Sequence, residues 1–431
     1  MKSRNVVIVD GARSPFARGG RGKLVATRLD DVGAKIVRTL LDKHSKVKDT
    51  MIEDVGLGNV SGKGEFVGLS RVIRMAGLPM EVTSFNSNRQ CGSSMETLHR
   101  IASAIMVGAI DCGMSLGIER MGTALGGGGG NAPAGRIFGA RALQRNDLQR
   151  KMANDHDQYF SVPFPDQILD ALPGSMTQSA QNVVDAYGLT REELDAFSAN
   201  SHLKSQAAID KGIYKDEIIP LEVEEPVFDA ERNWVEEETG TIVPFENDEC
   251  VRPDSTPETL AALGPVKGIK SHVGNEVVIT AGNSCPTNDG VSAALLMSEE
   301  MALALGLTPL ARIIGIGVGG VKPQVMGLGP IVSTKKALKM AGIEASQIQR
   351  TEFNEAFASQ AIACIRDIGL TPEEVNVNGG SIAIGHPLGA TGTRLVLTVA
   401  KELRRSGTRY GLASQCIGAG MGISTIIEAL D

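Results

Sequence analysis

The chain has 431 residues, is 42% hydrophobic and 22% charged, and carries a formal net charge of −7. That length outgrows a single core and suits two or three units, and the negative balance excludes nucleic acid as the main partner. No apolar run is long enough to span a membrane, and the cysteines at 91, 112, 250, 285, 364 and 416 form no CxxC pair, which argues against a zinc site or a disulfide framework.

In chain order, residues 5–9 (NVVIV) are a short apolar run closed by Gly11 and predict a buried strand. No apolar leader or Arg/Ser-rich presequence precedes it. Together with unpaired thiols this gives an expectation of a reducing, cytoplasmic compartment. Val32, Ile36, Val37 and Leu40 predict a helix over 31–41, and VGLGNV (55–60) a second strand. A polar turn, Asn86 to Gln90, then leads to Cys91. After it Met95, Leu98, Ile101, Ala102 and Ile105 recur at helical steps, with Gly108 as the stop. Cys91 therefore sits at a predicted helix N-terminus, where free N–H groups and the helix dipole favour a thiolate and lower the thiol pKa. The alternative at this point is a small buried residue. Residues 111–118 (DCGMSLGI) predict a small-residue buried strand, and strands alternating with helices predict an α/β fold.

From Met121 the rhythm stops. Five glycines at 126–130 predict a connector and not a P-loop, since no Gly-Lys-Ser/Thr closes them. Arg136, Arg141, Arg145, Arg150 and Lys151 read either as a solvated face or as a phosphate-binding rim. Residues 190–212 predict a helix with a Thr190/Glu193 capping box and Gly212 at its end, and 222–249 are acidic surface, with Glu236, Glu237 and Glu238 in a row. Residues 122–278 thus read as an insertion.

A strand and turn at 277–284 (VVITAGNS) and a strand at 291–298 (VSAALLMS) resume the rhythm, followed by a capped helix from Ser298 to Gly306. Gly315, Gly317 and Gly320 formally match GxGxxG, but no acid lies about 20 residues on to hold a ribose, so a dinucleotide site is excluded. A Gly-rich turn at 385–389, a helix at 393–403 and a strand from Thr408 repeat the spacing of the Cys91 turn, helix and strand. A duplicated α/β half would bring the two turns face to face.

Three motifs in the second half carry chemistry: NEAF (Asn354 to Phe357) after a predicted strand at 350–353, GGSIAIGHPLGATG around His386, and CIGAGMG from Cys416. With Cys91 they supply a thiol nucleophile, an imidazole, a second acid/base and amide donors, the needs of covalent acyl transfer.

NRQC, NEAF, GGSIAIGHPLGATG and CIGAGMG resemble the signature blocks of the thiolases. So do VRPDST (251–256), TAGNS (280–284), DGVSAALL and VMGLGP (325–330), so the likeness runs along nearly the whole chain. In detail the chain is more similar to degradative 3-ketoacyl-CoA thiolases than to acetoacetyl-CoA-forming ones. The resemblance implies a five-layer αβαβα sandwich. An N-terminal half over 1–121 is completed by about 279–299, a loop domain over 122–278 binds CoA, and a C-terminal half covers 300–431. It implies that CoA cleaves a 3-ketoacyl-CoA into acetyl-CoA and a shortened acyl-CoA, reversibly, as in fatty acid β-oxidation. Cys91 would be the acylated nucleophile, His386 its activator, and Cys416 the proton carrier at the substrate α-carbon. Asn354, through a water and with His386, would stabilise one oxyanion; the N–H groups of Cys91 and Gly418 would stabilise the other. Met176, Cys285, Ala356 and Phe357 match positions lining the substrate and pantetheine channel. CoA is a co-substrate, with no bound cofactor or metal. A homodimer or homotetramer is usual in the family, and a hydratase/dehydrogenase partner is compatible with this reading.

Two departures concern chain length. Ser175 stands where acetoacetyl-CoA thiolases carry His, and Cys285 where Ser contacts the CoA arm. The candidates for the CoA 3′-phosphate are Arg136, Arg141 and Arg145. Two alternatives accompany the leading expectation. One is an acetyl-CoA C-acetyltransferase. The other is a silent thiolase-like subunit, which should have lost Cys91, His386 or Cys416; all three are present.

Overall fold

The computed structural model describes residues 3–61, 69–124, 159–171, 174–230, 234–235 and 240–430. The five glycines, the Arg136–Lys151 cluster and the Glu236–Glu238 run lie outside them.

The main sheet runs β10-β11-β12-β9-β1-β8-β5-β3-β4, with the short β2 (Ala17–Arg18) beside β8. Its N-terminal part is β1 (Val6–Arg13), β3 (Asp54–Gly58), β4 (Thr83–Ser87), β5 (Cys112–Arg120) and β8 (Asn288–Ser298). Its C-terminal part is β9 (Ala311–Gly320), β10 (Arg350–Phe353), β11 (Tyr410–Ile417) and β12 (Met421–Ala429). The two parts share one plan. β1 pairs antiparallel with β8, β8 antiparallel with β5, and β5 parallel with β3, which is parallel to β4. Likewise β9 pairs antiparallel with β12, β12 antiparallel with β11, and β11 parallel with β10, which meets Val375 in a parallel bridge. The repeat expected from the spacing of two turns is therefore a repeat of strand order and direction. Antiparallel pairing of Val6–Ile8 on β1 with β9 joins the halves.

Alternation along the strands sorts side chains into layers. Val6 and Ile8 face one side with Ala294 and Leu296 of β8; Val7 and Val9 face the other with Leu295 and Met297. The first set packs on helix Ser93–Met106 (Leu98, Ile101, Ile105) and helix Leu388–Ser406 (Leu395, Val399, Leu403), together with Ile423 and Ile427 of β12. The second packs on helix Leu29–Lys43 through Ile36, Val37 and Leu40. Leu412 and Ile426, on the far face of the C-terminal strands, pack on helices Gly329–Ala341 and Ala358–Ile368 through Ile331, Leu338, Ile365 and Ile368. The order is helix, sheet, paired central helices, sheet, helix: five layers. Each fully buried aliphatic side chain contributes roughly 1.5–3 kcal/mol.

The central helices meet closely. An ideal Cβ on Gly392 would lie 2.4 Å from the Met95 nitrogen, and Thr393 N–H donates to Ser94 Oγ at 3.0 Å. This contact brings the Cys91 turn and the His386 turn to the same place.

Elements at 122–278 include helices Met176–Tyr187 and Arg191–Asp210 and a two-stranded sheet of β6 (Leu221–Glu224) and β7 (Ile242–Phe245). The Thr190/Glu193 capping box is present, and Gly212 is left-handed at φ 68°. Residues 277–284 form no strand. Thr280 makes an isolated bridge to Pro265 and Ser284 one to Phe357, while side chains satisfy other backbone groups: Val278 N–H donates to Gln181 Oε1 and Thr280 N–H to Asn283 Oδ1. The glycines of β9 serve packing. Ideal Cβ atoms on Gly315 and Gly317 would lie 2.4 Å from Ala337 O and 2.2 Å from Ser333 O, on the helix that covers them.

Candidate active site

The turn after β4 fixes the candidate nucleophile. Gln90 N–H donates to Asn88 Oδ1 at 3.1 Å. Ser93 Oγ accepts from Arg89 N–H at 3.0 Å and donates to the Gln90 carbonyl at 2.5 Å. Gln90 is held in the left-handed region, φ 48°. Cys91 follows, half-buried, ahead of the Gly92 N-cap and helix Ser93–Met106. Its sulfur meets the N–H of Gly418 and its own N–H. The sequence predicts a lowered thiol pKa here. Instead burial pushes the thiol up to about 11, with the Glu119 charge adding and the two N–H groups opposing. Desolvation outweighs the helix dipole.

His386 is buried in the turn before helix Leu388–Ser406, which packs on the Cys91 helix. Thr391 Oγ1 donates to the Pro387 carbonyl at 2.8 Å, so it accepts from His386 Nδ1–H at 2.7 Å. That leaves Nε2 bare, the tautomer a base needs. Nε2 faces Asn354 Nδ2 at 3.4 Å. The turn is set by Asn288, whose Oδ1 accepts His386 N–H at 2.9 Å. Burial, and then the Arg394 charge, push His386 down to about 3.

Cys416 is the penultimate residue of β11 and is 1% exposed. Burial raises its thiol well above the usual range, and Cys91, Cys364 and Cys285 are near enough to raise it further. The chain then turns through Ala419 (φ 66°) and Gly420 (φ 85°), which aims Gly418 N–H at Cys91. Burial likewise pushes Cys285 up to about 12, Cys91 adding. Cys285 N–H donates to the Ala356 carbonyl at 3.0 Å, and Ser284 bridges Phe357. Ala356 and Phe357 are buried in a cluster with Cys416, against which Cys285 packs. Met176, 45% exposed, brings its Cε within 3.0 Å of where a Gly418 Cβ would be. The structure thus gathers the sequence-predicted residues Cys91, His386, Cys416, Asn354, Gly418, Met176, Cys285, Ala356 and Phe357 around one centre. Among the described residues no group of three or more His, Cys, Asp or Glu is arranged to hold a metal, and no helix is long and apolar enough to cross a membrane.

The profile of the thiolase N-terminal domain matches residues 6–300 and that of the C-terminal domain 307–429. The chain belongs to the thiolase family. It is 36% identical over 427 residues to 3-ketoacyl-CoA thiolase of Bacillus subtilis, and 36% over 433 residues to 3-oxoadipyl-CoA/3-oxo-5,6-dehydrosuberyl-CoA thiolase of Escherichia coli, each alignment covering 99% of both chains. Human mitochondrial 3-ketoacyl-CoA thiolase superposes with a TM-score of 0.79 at 30% identity, covering 99% of each chain. The acetyl-CoA acetyltransferase of Bacillus anthracis superposes at 0.80 and 32%, covering 100% of each.

Several residues that shape this thiolase site were not singled out from sequence. Glu119, fully buried, accepts N–H bonds from Gly389 (2.7 Å), Val60 (3.0 Å) and Ser61 (2.9 Å), and so ties the His386 turn to the end of β5. Glu355, inside NEAF, accepts from Ser201 Oγ, Asn376 Nδ2 and Ile382 N–H, and locks that motif to two neighbouring segments. Ser381 and Arg394 stand behind Asn354. The signal available for all four was an ionic or hydroxyl residue embedded in an apolar or glycine-rich run.

Proposed function

We propose that the protein is a degradative 3-ketoacyl-CoA thiolase. One observation carries this reading: the Cys91 sulfur, faced by the N–H groups of Cys91 and Gly418, shares its site with a bare His386 Nε2 and a second buried thiol, Cys416. The curated relatives, named 3-ketoacyl-CoA thiolase at 36% identity, support it over an acetyl-CoA acetyltransferase.

In the cycle, His386 takes the Cys91 proton and the thiolate attacks the C3 carbonyl carbon of the 3-ketoacyl-CoA. The Cys91 and Gly418 N–H groups stabilise the resulting oxyanion. The C2–C3 bond then breaks. The leaving acetyl-CoA enolate, its oxygen stabilised from the Asn354–His386 side, takes its proton from Cys416. The acyl group stays on Cys91. An incoming CoA thiol restores the Cys416 proton and attacks the acyl carbon; Cys91 leaves and regains its proton from His386. A single oxyanion donor is worth roughly 10²–10³ in rate and general acid–base help roughly 10²–10⁴. Residues 122–278 form the CoA-binding loop domain in this reading, with Met176, Cys285, Ala356 and Phe357 along the channel. The resemblance also supports a homo-oligomer working in the cytoplasm in β-oxidation.

The test is CoA-dependent loss of the enolate absorbance of 3-ketoacyl-CoA from C4 to C16, with Cys91→Ala as control. Preference for C6 or longer is expected. Activity confined to C4 would favour the acetyltransferase, and full activity of Cys91→Ala would sink the assignment of the nucleophile.

A further inference from the structure

We propose that Ser381 and Arg394 are positioning residues for Asn354, and that Arg394 polarises the Asn354 amide through two hydrogen bonds so that it is a stronger donor to the water through which it stabilises the developing enolate. This rests on the thiolase reading.

The direction of each bond fixes the network. Arg394 has only donors. Its Nη1 donates to Glu352 Oε2 at 2.7 Å and its Nη2 to Ser381 Oγ at 2.8 Å. The Ser381 proton is then free for Asn354 Oδ1, at 2.7 Å. With Oδ1 committed as an acceptor, the amide has one orientation, and Nδ2 must face His386 Nε2. Arg394 and Ser381 are fully buried, and Glu352 and Asn354 nearly or fully so, so little water competes for these bonds. A buried guanidinium is costly unless fully partnered. Here Nη1 is given to a carboxylate and Nη2 to a neutral hydroxyl that points into the site, while Nε is left without a partner. Successive hydrogen bonds polarise one another in a low dielectric, so positive charge reaches the Asn354 N–H without a cation entering the site. The same charge helps to keep the His386 imidazole neutral.

The proposal separates two reactions. Thiolysis of a 3-ketoacyl-CoA passes through the acetyl-CoA enolate and uses Asn354. Exchange of isotopically labelled CoA into acetyl-CoA uses Cys91, His386, Cys416 and the Cys91/Gly418 N–H pair but forms no enolate, and so does not call on Asn354. Ser381→Ala should lower kcat for thiolysis about 10-fold to 50-fold, less than loss of a whole donor. KM and the exchange rate should stay within about two-fold. In the Asn354→Ala background, adding Ser381→Ala should change thiolysis no further, since Ser381 acts through Asn354. An equal fall in both reactions, a multiplicative effect in the double variant, or wild-type thiolysis by Ser381→Ala would each overturn the proposal. Absence of both reactions in the wild-type protein would refute the thiolase reading instead.

Discussion

Gln90 and Ala419 flank the two backbone N–H groups that face the Cys91 sulfur, and both hold left-handed backbone, at φ 48° and 66°. Asn376 is the one other non-glycine residue with positive φ among those described. Such a conformation costs a side chain roughly 1–2 kcal/mol, and it re-aims the preceding or following peptide. Ala419 is exposed, so Ala419→Gly loses no packing. It should leave stability unchanged or raise it by up to about 1 kcal/mol, with thiolysis near wild type. Ala419→Val should cost about 1–2 kcal/mol and lower kcat, because the β-branched residue resists this backbone and swings Gly418 N–H away. Thermal melts and thiolysis of the pair check this; equal behaviour of the two variants would contradict it.

Gly418 offers the converse separation of activity from stability. Its φ is not positive, and a Cβ would meet only the flexible tip of Met176 at 3.0 Å and Gln90 beyond it. Gly418→Ala should therefore melt within about 1 kcal/mol of wild type. The new methyl stands beside the proposed oxyanion donor, so thiolysis should fall by at least about 10-fold. A variant with normal activity would show that this N–H is not aimed at the reacting carbonyl.

Much of this was legible in sequence, for identifiable reasons. The strand at 350–353 and the capped helix after Thr190 rest on local signals, apolar periodicity and a capping box, and they appear as expected. The repeat was readable because one turn–helix–strand unit occurs twice. Residues 277–284 misled because their apolar residues satisfy the strand pattern, while the partners of their N–H groups, Gln181 and Asn283, are side chains. The pKa of Cys91 misled because the sequence places a helix start but does not give the depth of burial. Arg394 stood out in sequence only as a charge in an apolar run, and its role was unreadable because its partners, Glu352 and Ser381, come together only when two helices and a strand are packed.

Cys91 and His386 rest as a neutral thiol and a neutral imidazole, since burial pushes one up to about 11 and the other down to about 3. Alkylation of Cys91 by iodoacetamide in the substrate-free protein should rise about tenfold per pH unit between 7 and 9, with no step near 6.5, because thiolate falls tenfold for each unit below the pKa. Site-resolved mass spectrometry measures it, and a rate already flat from pH 6 would indicate a thiolate–imidazolium pair. Linkage has a matching sign. A thiol with a folded pKa above its unfolded ~8.5 contributes stability that is full below that value and lost as pH rises above it. Cys112, Cys250, Cys285, Cys364 and Cys416 are raised in the same direction. The melting temperature should accordingly fall from pH 8.5 to 10.

Arg13 ties the first strand to the chain around Glu217 and Asp248. It ends β1, is fully buried, and donates to Glu217 Oε1 at 2.7 Å and to Asp248 at 2.7 and 2.9 Å, more than 200 residues along the chain. Its guanidinium also lies over the Phe16 and Tyr214 rings, at 4.9 and 5.4 Å. Glu217 in turn accepts from Thr398 Oγ1 on the helix that follows His386, at 2.9 Å. Removing Arg13 leaves two carboxylates buried without their cation, a loss of about 3–5 kcal/mol where one partner of a buried pair is deleted. Arg13→Met, which keeps most of the side-chain volume, isolates the charge. It should lower stability by about that amount and make the chain between Tyr214 and Asp248 the first to be cleaved in limited proteolysis, before the central helices open. If Arg13→Met instead melted at the wild-type temperature, the ion cluster would be a replaceable packing element, and the link between Glu217 and the His386 helix would have to rest on Thr398 alone.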